Sequence, residues 1–185
     1  MEKWGIIYGT QKIKNDRMIN IITGKINSGK TTKLLSLFDQ NINGDGFACV
    51  KRFDNDKFLG YNILHLQTGK SIPFSYQKNC TPDNWNEMFQ FGKFSFSKEG
   101  FVFADKIIDS IIKKNMEPIF IDEVGPVEIL LKKGFYKIVK KVLNTNKKCF
   151  LTVRSDMVDG FCEEFGVDER FVIKITNNNN NNKKL

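Results

Sequence analysis

Arginine and histidine are scarce in this 185-residue chain, although its formal net charge is +8. The four arginines are scattered, at Arg17, Arg52, Arg154 and Arg170, and the lysines occur in doublets along the chain. A groove for nucleic acid would be expected to use more arginines and to interleave them with aromatic residues. The composition therefore argues against a nucleic-acid partner, and a polyanionic substrate would explain part of the positive charge. The single histidine, His65, has no second His or Cys at ligand spacing, so we do not expect it to bind a metal.

Cysteine pairs and long apolar runs are also lacking. The cysteines, Cys49, Cys80, Cys149 and Cys162, include no C-x-x-C pair, which favours reduced, mostly buried thiols in a cytosolic protein. No run approaches the ~18 apolar residues of a membrane span, and no apolar signal region is present near the N-terminus. We therefore expect a cytoplasmic protein without membrane contact.

A glycine-rich turn between an apolar strand and a helix is the most informative motif. Residues 24–31, GKINSGKT, fill the pattern G-x-x-x-x-G-K-[ST] of a phosphate-binding loop, and apolar residues flank the loop on both sides. The backbone N–H groups of this turn and the start of the helix would face phosphate oxygens. Lys30 would reach the β- and γ-phosphates, and Thr31 would offer its hydroxyl to Mg²⁺.

Hydrophobic periodicity predicts strands that alternate with helices, which is typical of a parallel sheet covered on both faces. Besides the strand before the loop, strands are predicted at 47–52, 59–66, 72–76, 94–97, 118–122, 149–153 and 171–175, and helices at 30–40, 99–115, 135–143 and 156–165. Segments 47–52 and 59–66 form a hairpin around a polar turn. Region 77–91 is ambiguous between a loop and a short helix with Trp85, Met88 and Phe89 on one face. The predicted fold class is α/β, a P-loop NTPase three-layer sandwich with a mostly parallel sheet and an inserted β-hairpin.

Composition divides the chain into three parts. Residues 18–176 are predicted to form a single domain, because 185 residues bury one substantial core but are short for two. Residues 1–17 mix apolar and polar side chains, and their order is not readable. Residues 177–185 form an Asn/Lys tail that cannot build a core and is predicted to be disordered.

An apolar strand that ends in two acidic residues supplies the second half of the predicted site. On the strand neighbouring the phosphate loop, Asp122 would hold the hydration shell of Mg²⁺ opposite Thr31. Glu123 would point toward the γ-phosphate and orient or deprotonate an attacking water as a general base. The alternative is that one of these acids merely caps the turn after the strand. Glu128 could orient the following loop or be an ordinary surface residue.

Arg154 is the best candidate for an additional positive group in the site. It directly follows strand 149–153 and would emerge at the ligand edge of the sheet, where it could stabilise charge in the transition state. Arg52, in the hairpin, is the second candidate. An ordinary surface role for either arginine stays open.

The phosphate loop together with the acidic motif resembles those of the small nucleoside-triphosphatases of the THEP1 type, called cancer-related nucleoside-triphosphatases in animals. The acidic motif, Asp-Glu-Val-Gly-Pro-x-Glu at residues 122–128, is the most specific part of the resemblance, which covers about residues 19–175. It implies slow, Mg²⁺-dependent hydrolysis of ATP, GTP and other nucleoside triphosphates with little base selectivity. Carried over by position, the phosphates would be held by Gly24, Lys25, Ile26, Asn27, Ser28, Gly29, Lys30, Thr31 and Thr32. Thr31 and Asp122 would hold the metal, and Lys30, Glu123 and Arg154 form the predicted catalytic set.

Two other functions stay open at this point. A small-molecule kinase on the same scaffold would need an acceptor pocket and an arginine-rich lid, and the four scattered arginines count against such a lid. A nucleotide-binding adaptor would resemble the guanine-nucleotide-binding accessory proteins of molybdenum-cofactor synthesis, which share the Asn-Ser-Gly-Lys-Thr-Thr loop. An adaptor needs no carboxylate at Glu123 to align a water. The sequence does not indicate an oligomeric state.

Overall fold

Nine strands form one hydrogen-bonded sheet in the computed structural model, which describes residues 19–41, 43–169 and 172–176. The strands are β1 (Ile19–Gly24), β2 (Asp45–Asp54), β3 (Lys57–His65), β4 (Ser71–Gln77), β5 (Glu87–Phe91), β6 (Phe94–Ser97), β7 (Ile119–Val124), β8 (Cys149–Arg154) and β9 (Val172–Thr176). The helices are α1 (Lys30–Asp39), α2 (Lys98–Lys113), α3 (Pro126–Ile129), α4 (Tyr136–Leu143) and α5 (Val158–Phe165). The predicted N-terminal segment 1–17 and the Asn/Lys tail 177–185 lie outside the described residues.

The sheet has a parallel half and an antiparallel half. Its order is β5-β6-β4-β3-β2-β7-β8-β1-β9. Strands β2, β7, β8, β1 and β9 pair in parallel, whereas β3, β4, β6 and β5 continue the sheet beyond β2 in antiparallel pairs. The parallel half, with helices on both faces, confirms the predicted α/β class. The antiparallel half is larger than the predicted hairpin, because three further strands extend it.

In the ambiguous region before β6, residues 87–91 form strand β5 and not the short helix considered from the sequence. Phe89 lies in β5, opposite Phe96 of β6, and the two rings stack with their centroids 5.2 Å apart. Met88, which directly precedes Phe89 in the strand, is 55% exposed, as expected where successive side chains point to opposite faces. A helix that placed Met88 and Phe89 on one face is therefore excluded. Trp85 precedes the strand, and its Nε1 donates to Ser95 Oγ at 2.8 Å.

Helices cover the two faces of the sheet unequally. Helix α1 packs on one face through Leu34, whereas α2, α4 and α5 pack on the other. The predicted apolar stripe of α2 is buried, and Ser97 caps the helix by accepting from Gly100 N at 2.8 Å. Each large apolar side chain buried in this way contributes about 1.5–3 kcal/mol. None of the helices in the described part of the chain has the length and apolar character needed to cross a membrane.

The four cysteines are free thiols. Cys49, Cys149 and Cys162 are buried in the sheet and α5, as predicted, and Cys80 is half-buried in a short turn after β4. Cys49, on β2, is the cysteine that lies at the candidate site described below, where its N–H donates to Asp122.

Candidate nucleotide site

The phosphate loop joins β1 to α1 and has the backbone geometry that such a loop requires. Gly29 precedes the helix with a φ of 82°, which is unfavourable for residues with a Cβ atom. At Gly24, an added Cβ would collide with Ser28 Oγ, because the loop closes tightly on itself. Lys30, Thr31 and Thr32 form the first turn of α1, so the unpaired N–H groups of that turn face the loop.

Lys30 folds back over the loop that precedes it. Its Nζ donates to the carbonyl oxygens of Gly24, at 3.2 Å, and Lys25, at 2.9 Å. The ammonium group is thereby fixed above the mouth of the loop and not extended into solvent. A single positive charge held there is suited to β- and γ-phosphate oxygens.

Asp122 is completely buried and accepts four hydrogen bonds. Its Oδ2 accepts from Thr31 Oγ1 at 2.9 Å and from Cys49 N at 3.0 Å. Its Oδ1 accepts from Thr152 Oγ1 at 2.6 Å and from Glu123 N at 3.1 Å. Burial raises the pKa of this carboxyl, and the hydrogen bonds oppose part of that rise. The network ties together β7, β2, β8 and the first turn of α1.

The predicted position of the acidic strand needs one correction. Strand β7 does not neighbour β1, because β8 lies between them and pairs with both. The carboxylate of Asp122 still reaches Thr31, since α1 crosses above the sheet and the intervening strand presents Thr152 to the same carboxylate. Sequence alone does not show this order, because either arrangement leaves the two motifs at the same sheet edge.

A β-bulge separates the roles of the two acidic residues. Ile121 pairs with Leu151 and Val124 pairs with Val153, so Asp122 and Glu123 together oppose the single residue Thr152. Glu123 adopts a φ of 68°, and its backbone N–H donates to Thr152 Oγ1 at 2.7 Å. Bulges redirect side chains and are frequent next to active sites. The extra residue lets Asp122 contact α1 while Glu123 lines the adjoining cleft.

Glu123 is an exposed residue that lines this cleft, although many protein atoms surround its carboxyl group. These surroundings and the nearby Asp122 raise its pKa to about 7, and Lys30 acts in the opposite direction. Among the described residues, no side chain donates a hydrogen bond to the Glu123 carboxylate. A carboxylate with free acceptor oxygens and a pKa near neutrality has the properties of a general base.

Two cavities meet at these residues. The first, of about 350 Å³, is formed by the phosphate loop, the start of α1 and strands β2 and β3, and we call it the phosphate cavity. The second, of about 280 Å³, extends among phenylalanine rings on the α2 face of the sheet, and we call it the aromatic cavity. Both cavities are lined by Asn27, Lys30, Cys49, Tyr61 and Glu123.

Most of the predicted nucleotide-binding residues line at least one of these cavities. The phosphate cavity is lined by Asn27, Ser28, Gly29, Lys30, Thr31 and Thr32. Gly24 and Lys25 hold Lys30 through their carbonyl oxygens instead. Ile26 is 68% exposed and lines the aromatic cavity.

The two candidate arginines occupy different places. Arg154 ends β8 next to Gly24 of β1 and lines the aromatic cavity. Its guanidinium is paired with Asp156, with Nε–Oδ1 and Nη2–Oδ2 distances of 2.6 and 2.8 Å. Arg52 stacks over the Tyr76 ring, 4.4 Å from its centroid, and lines neither cavity.

Several site residues were not identified from the sequence. Thr152 is the most informative, because a polar residue within an apolar strand was an available signal. Lys51 and Tyr61 enter the phosphate cavity only through the pairing of β2 with β3. Burial also settles the open choice for Glu128, which is 4% exposed and accepts from Gly125 N and Phe135 N, each at 3.0 Å. Glu128 thus fixes the loop that follows β7.

The oxygen atoms of Thr31 and Asp122 fit a Mg²⁺ ion bound together with phosphates. Within the described ranges, no cluster of three or more His, Cys, Asp or Glu side chains could hold a metal without further ligands. Mg²⁺ usually binds proteins through one or two side chains and completes its shell with water and substrate phosphates. Thr31 and Asp122, whose oxygens lie 2.9 Å apart, are the residues that would hold the ion.

This fold and site define a nucleotide-binding protein of the P-loop class. The model of the NTPase family matches residues 20–184. The nucleoside-triphosphatase THEP1 of Natranaerobius thermophilus is 24% identical over 161 residues, which cover 85% of this chain and 87% of the relative. The THEP1 of Thermotoga petrophila is 28% identical over 149 residues, 77% of this chain and 75% of the relative. The chain belongs to this NTPase family and is of the THEP1 type.

Solved structures agree in fold. The crystal structure of THEP1 from Aquifex aeolicus matches with a TM-score of 0.65 at 22% identity, over 86% of this chain and 89% of that one. The solution structure of a human cancer-related nucleoside triphosphatase matches with a TM-score of 0.59 at 18% identity, over 86% and 88% of the two chains.

Proposed function

We propose that this protein hydrolyses nucleoside triphosphates to the diphosphate and phosphate, with Mg²⁺ and with little selectivity for the base. The observation that carries the proposal is that Lys30, Thr31 and Glu123 line the phosphate cavity, while the buried Asp122 accepts a hydrogen bond from Thr31 directly behind it. Family membership supports the same reaction, since the matching relatives are named nucleoside-triphosphatases.

Each group has a defined part in this reaction. The loop N–H groups and the Lys30 ammonium bind the β- and γ-phosphates and keep the γ-phosphoryl group in place. Glu123 accepts a proton from water as the water oxygen bonds to phosphorus and the bond to the β-phosphate oxygen breaks. Thr31 and Asp122 would hold Mg²⁺, which neutralises charge on the phosphate oxygens. Arg154 would balance further negative charge in the transition state after leaving Asp156.

The open alternatives differ in the fate of the γ-phosphoryl group. An adaptor would bind nucleotide without turnover, and the free carboxylate of Glu123 favours hydrolysis over that option. A kinase would transfer the group to a second small molecule. The aromatic cavity next to Glu123 is the specific observation that keeps this candidate open.

Phosphate release measured with ATP, GTP, CTP and UTP, with and without Mg²⁺, tests the proposal directly. We expect release from all four nucleotides that depends on Mg²⁺, and we expect Lys30→Ala to abolish it. Lys33→Ala is the matched control, because Lys33 lies in the same helix but lines neither cavity. Undiminished release by Lys30→Ala would contradict the assignment of the site. Phosphate appearing on a co-supplied small molecule would favour the kinase.

A further inference from the structure

The phenylalanine-lined part of the aromatic cavity has no role in any step of the proposed hydrolysis. Five phenylalanines from four elements and a loop form its body: Phe74, Phe89, Phe96, Phe101 and Phe135. The Phe74 and Phe135 rings are stacked with their centroids 5.2 Å apart, and Phe89 stacks on Phe101 at 5.6 Å. The whole cavity, including the end lined by Lys30, Glu123 and Arg154, has a volume of about 280 Å³. Protein cores normally close such spaces, since side chains pack as densely as molecules in organic crystals.

The size and openness of the cavity suit a small molecule. An apolar cavity of about 150 Å³ is sufficient to bind benzene. The present cavity is nearly twice as large, so a ligand of one or two fused rings fits. Ile26 and Phe91 also line it and are 68% and 37% exposed, so the cavity reaches the protein surface.

The chemistry of the lining changes along the cavity. The α2 side offers only ring faces and edges, which favour planar and uncharged ligand groups. The opposite end holds the Glu123 carboxylate, with Lys30 and Arg154 nearby. Because no donor in the described ranges occupies the Glu123 carboxylate, a hydroxyl or N–H group of the ligand would find an acceptor there. Apolar walls with a few convergent polar groups are typical of small-molecule sites.

We propose that the aromatic cavity is a second ligand site, which takes an uncharged, planar aromatic molecule with its hydroxyl or N–H group at Glu123. The site is separate from the phosphate cavity, although the two share the residues at their junction. Because Phe74, Phe89, Phe96, Phe101 and Phe135 line only the aromatic cavity, we expect nucleotide and aromatic ligand to bind together. Any effect of the bound ligand on catalysis by Glu123 rests on the proposed hydrolysis, whereas binding of the ligand does not.

Equilibrium dialysis with 2-naphthol tests this site in the full-length protein without nucleotide. We expect saturable 1:1 binding that survives saturating Mg²⁺ and ADP. The matched probe is 2-decalol, which keeps two rings and the hydroxyl but is not planar, and we expect it to bind at least ten-fold more weakly. No saturable binding of 2-naphthol, or equal binding of 2-decalol, would overturn the proposal. Displacement of 2-naphthol by ADP would also overturn it, since the cavity would then belong to the nucleotide.

Two variants assign the binding to this cavity. Phe89→Ala removes a wall, and Val127→Phe adds bulk at a lining position, so both should weaken 2-naphthol at least ten-fold. Met88→Ala is the control, because Met88 lies in the same strand but points away from the cavity lining and is 55% exposed. Unchanged ADP affinity shows that a variant is folded. Unchanged 2-naphthol affinity in both folded cavity variants would overturn the assignment.

The two proposals fail separately. Saturable 2-naphthol binding without any phosphate release from the unmodified protein would overturn the hydrolytic function and support the second site. Mg²⁺-dependent phosphate release without 2-naphthol binding would support the hydrolytic function and overturn the second site.

Discussion

Two residues of the site hold a backbone conformation that side chains disfavour. Asn27 in the phosphate loop has a φ of 60° and Glu123 has a φ of 68°. Left-handed conformations at residues other than glycine cost about 1–3 kcal/mol and persist where the surroundings enforce them. At Glu123 the enforcing contact is the hydrogen bond from its N–H to Thr152. Both residues lie where the phosphate loop and the acidic strand would face the substrate of the proposed reaction.

Replacement of Glu123 by glutamine tests whether this carboxylate is the base. Glutamine keeps the size of the side chain but cannot accept the proton of water. We therefore expect nucleotide affinity to be retained and kcat to fall at least ~100-fold, the size of effect typical for a positioned base. Glu163→Gln, on the exposed side of α5, is the matched control and should leave kcat unchanged. Turnover of Glu123→Gln at the rate of the parent would show that another group serves this role.

Glu128 predicts a pH dependence of stability with a definite sign. Burial raises its pKa from 4.5 to about 7 despite two backbone hydrogen bonds. A raised pKa means that the folded state holds the proton more tightly than the unfolded state, so this contribution to stability is complete below about pH 4.5 and is lost as the pH rises toward 7. The glutamine side chain does not titrate in this pH range, so the Glu128→Gln protein lacks this contribution. The stability advantage of the unmodified protein over Glu128→Gln should therefore shrink by about 2–3 kcal/mol between pH 5 and pH 8.

Urea unfolding of the two proteins at both pH values measures this change, and the other titrating groups cancel in the difference. A gap that widens with pH would mean that the Glu128 pKa lies below its ordinary value.

At the scale of elements, the bulge in β7 depends on its neighbour β8. Thr152 is 1% exposed, donates to Asp122 and accepts from Glu123 N, so one hydroxyl positions both acidic residues. Thr152→Val keeps the shape but removes one hydrogen bond of the buried Asp122 carboxylate and one made by the Glu123 N–H. We expect a loss of about 1–3 kcal/mol in the free energy of unfolding and a lower kcat, both restored by Thr152→Ser.

The adjacent strand offers a matched control for that change. Thr23 in β1 is also buried, but its Oγ1 has no hydrogen-bond partner among the described residues. Thr23→Val should therefore leave stability unchanged or increase it. Equal losses from Thr23→Val and Thr152→Val, measured by urea unfolding, would show that the hydroxyl of Thr152 has no special role.

Features set by short stretches of sequence were predictable, and features set by strand pairing were not. The phosphate loop, the apolar stripe of α2 and the acidic end of β7 each depend on a few consecutive residues, and their positions are confirmed. The bulge at Glu123 and the insertion of β8 between β1 and β7 depend on partners about 30 residues or more away. Phe89 is ambiguous from the sequence for a different reason: its partner Phe96 is near in the chain, but only the pairing with β6 makes Phe89 part of a strand.

At the scale of the whole molecule, the site lies where the parallel half of the sheet meets the antiparallel half. The phosphate loop and Glu123 belong to the parallel strands β1 and β7, while Lys51 and Tyr61 come from the β2–β3 pair. The aromatic cavity reaches further, to β5 and β6 at the edge of the antiparallel half. Nucleotide and aromatic ligand should therefore stabilise different parts of one sheet.

Hydrogen exchange of backbone amides can separate these parts. Because Mg²⁺ and ADP would contact the loop and the end of β7, we expect slower exchange at residues 25–32 and 122–125 and little change in β5, an edge strand whose amides exchange by local opening. Adding 2-naphthol to the same sample should additionally slow exchange in β5 and β6. Lys30→Ala is the control for the first effect and Phe89→Ala for the second. Slowing of β5 by Mg²⁺ and ADP alone would mean that the two halves respond as one unit and that the cavities are not independent.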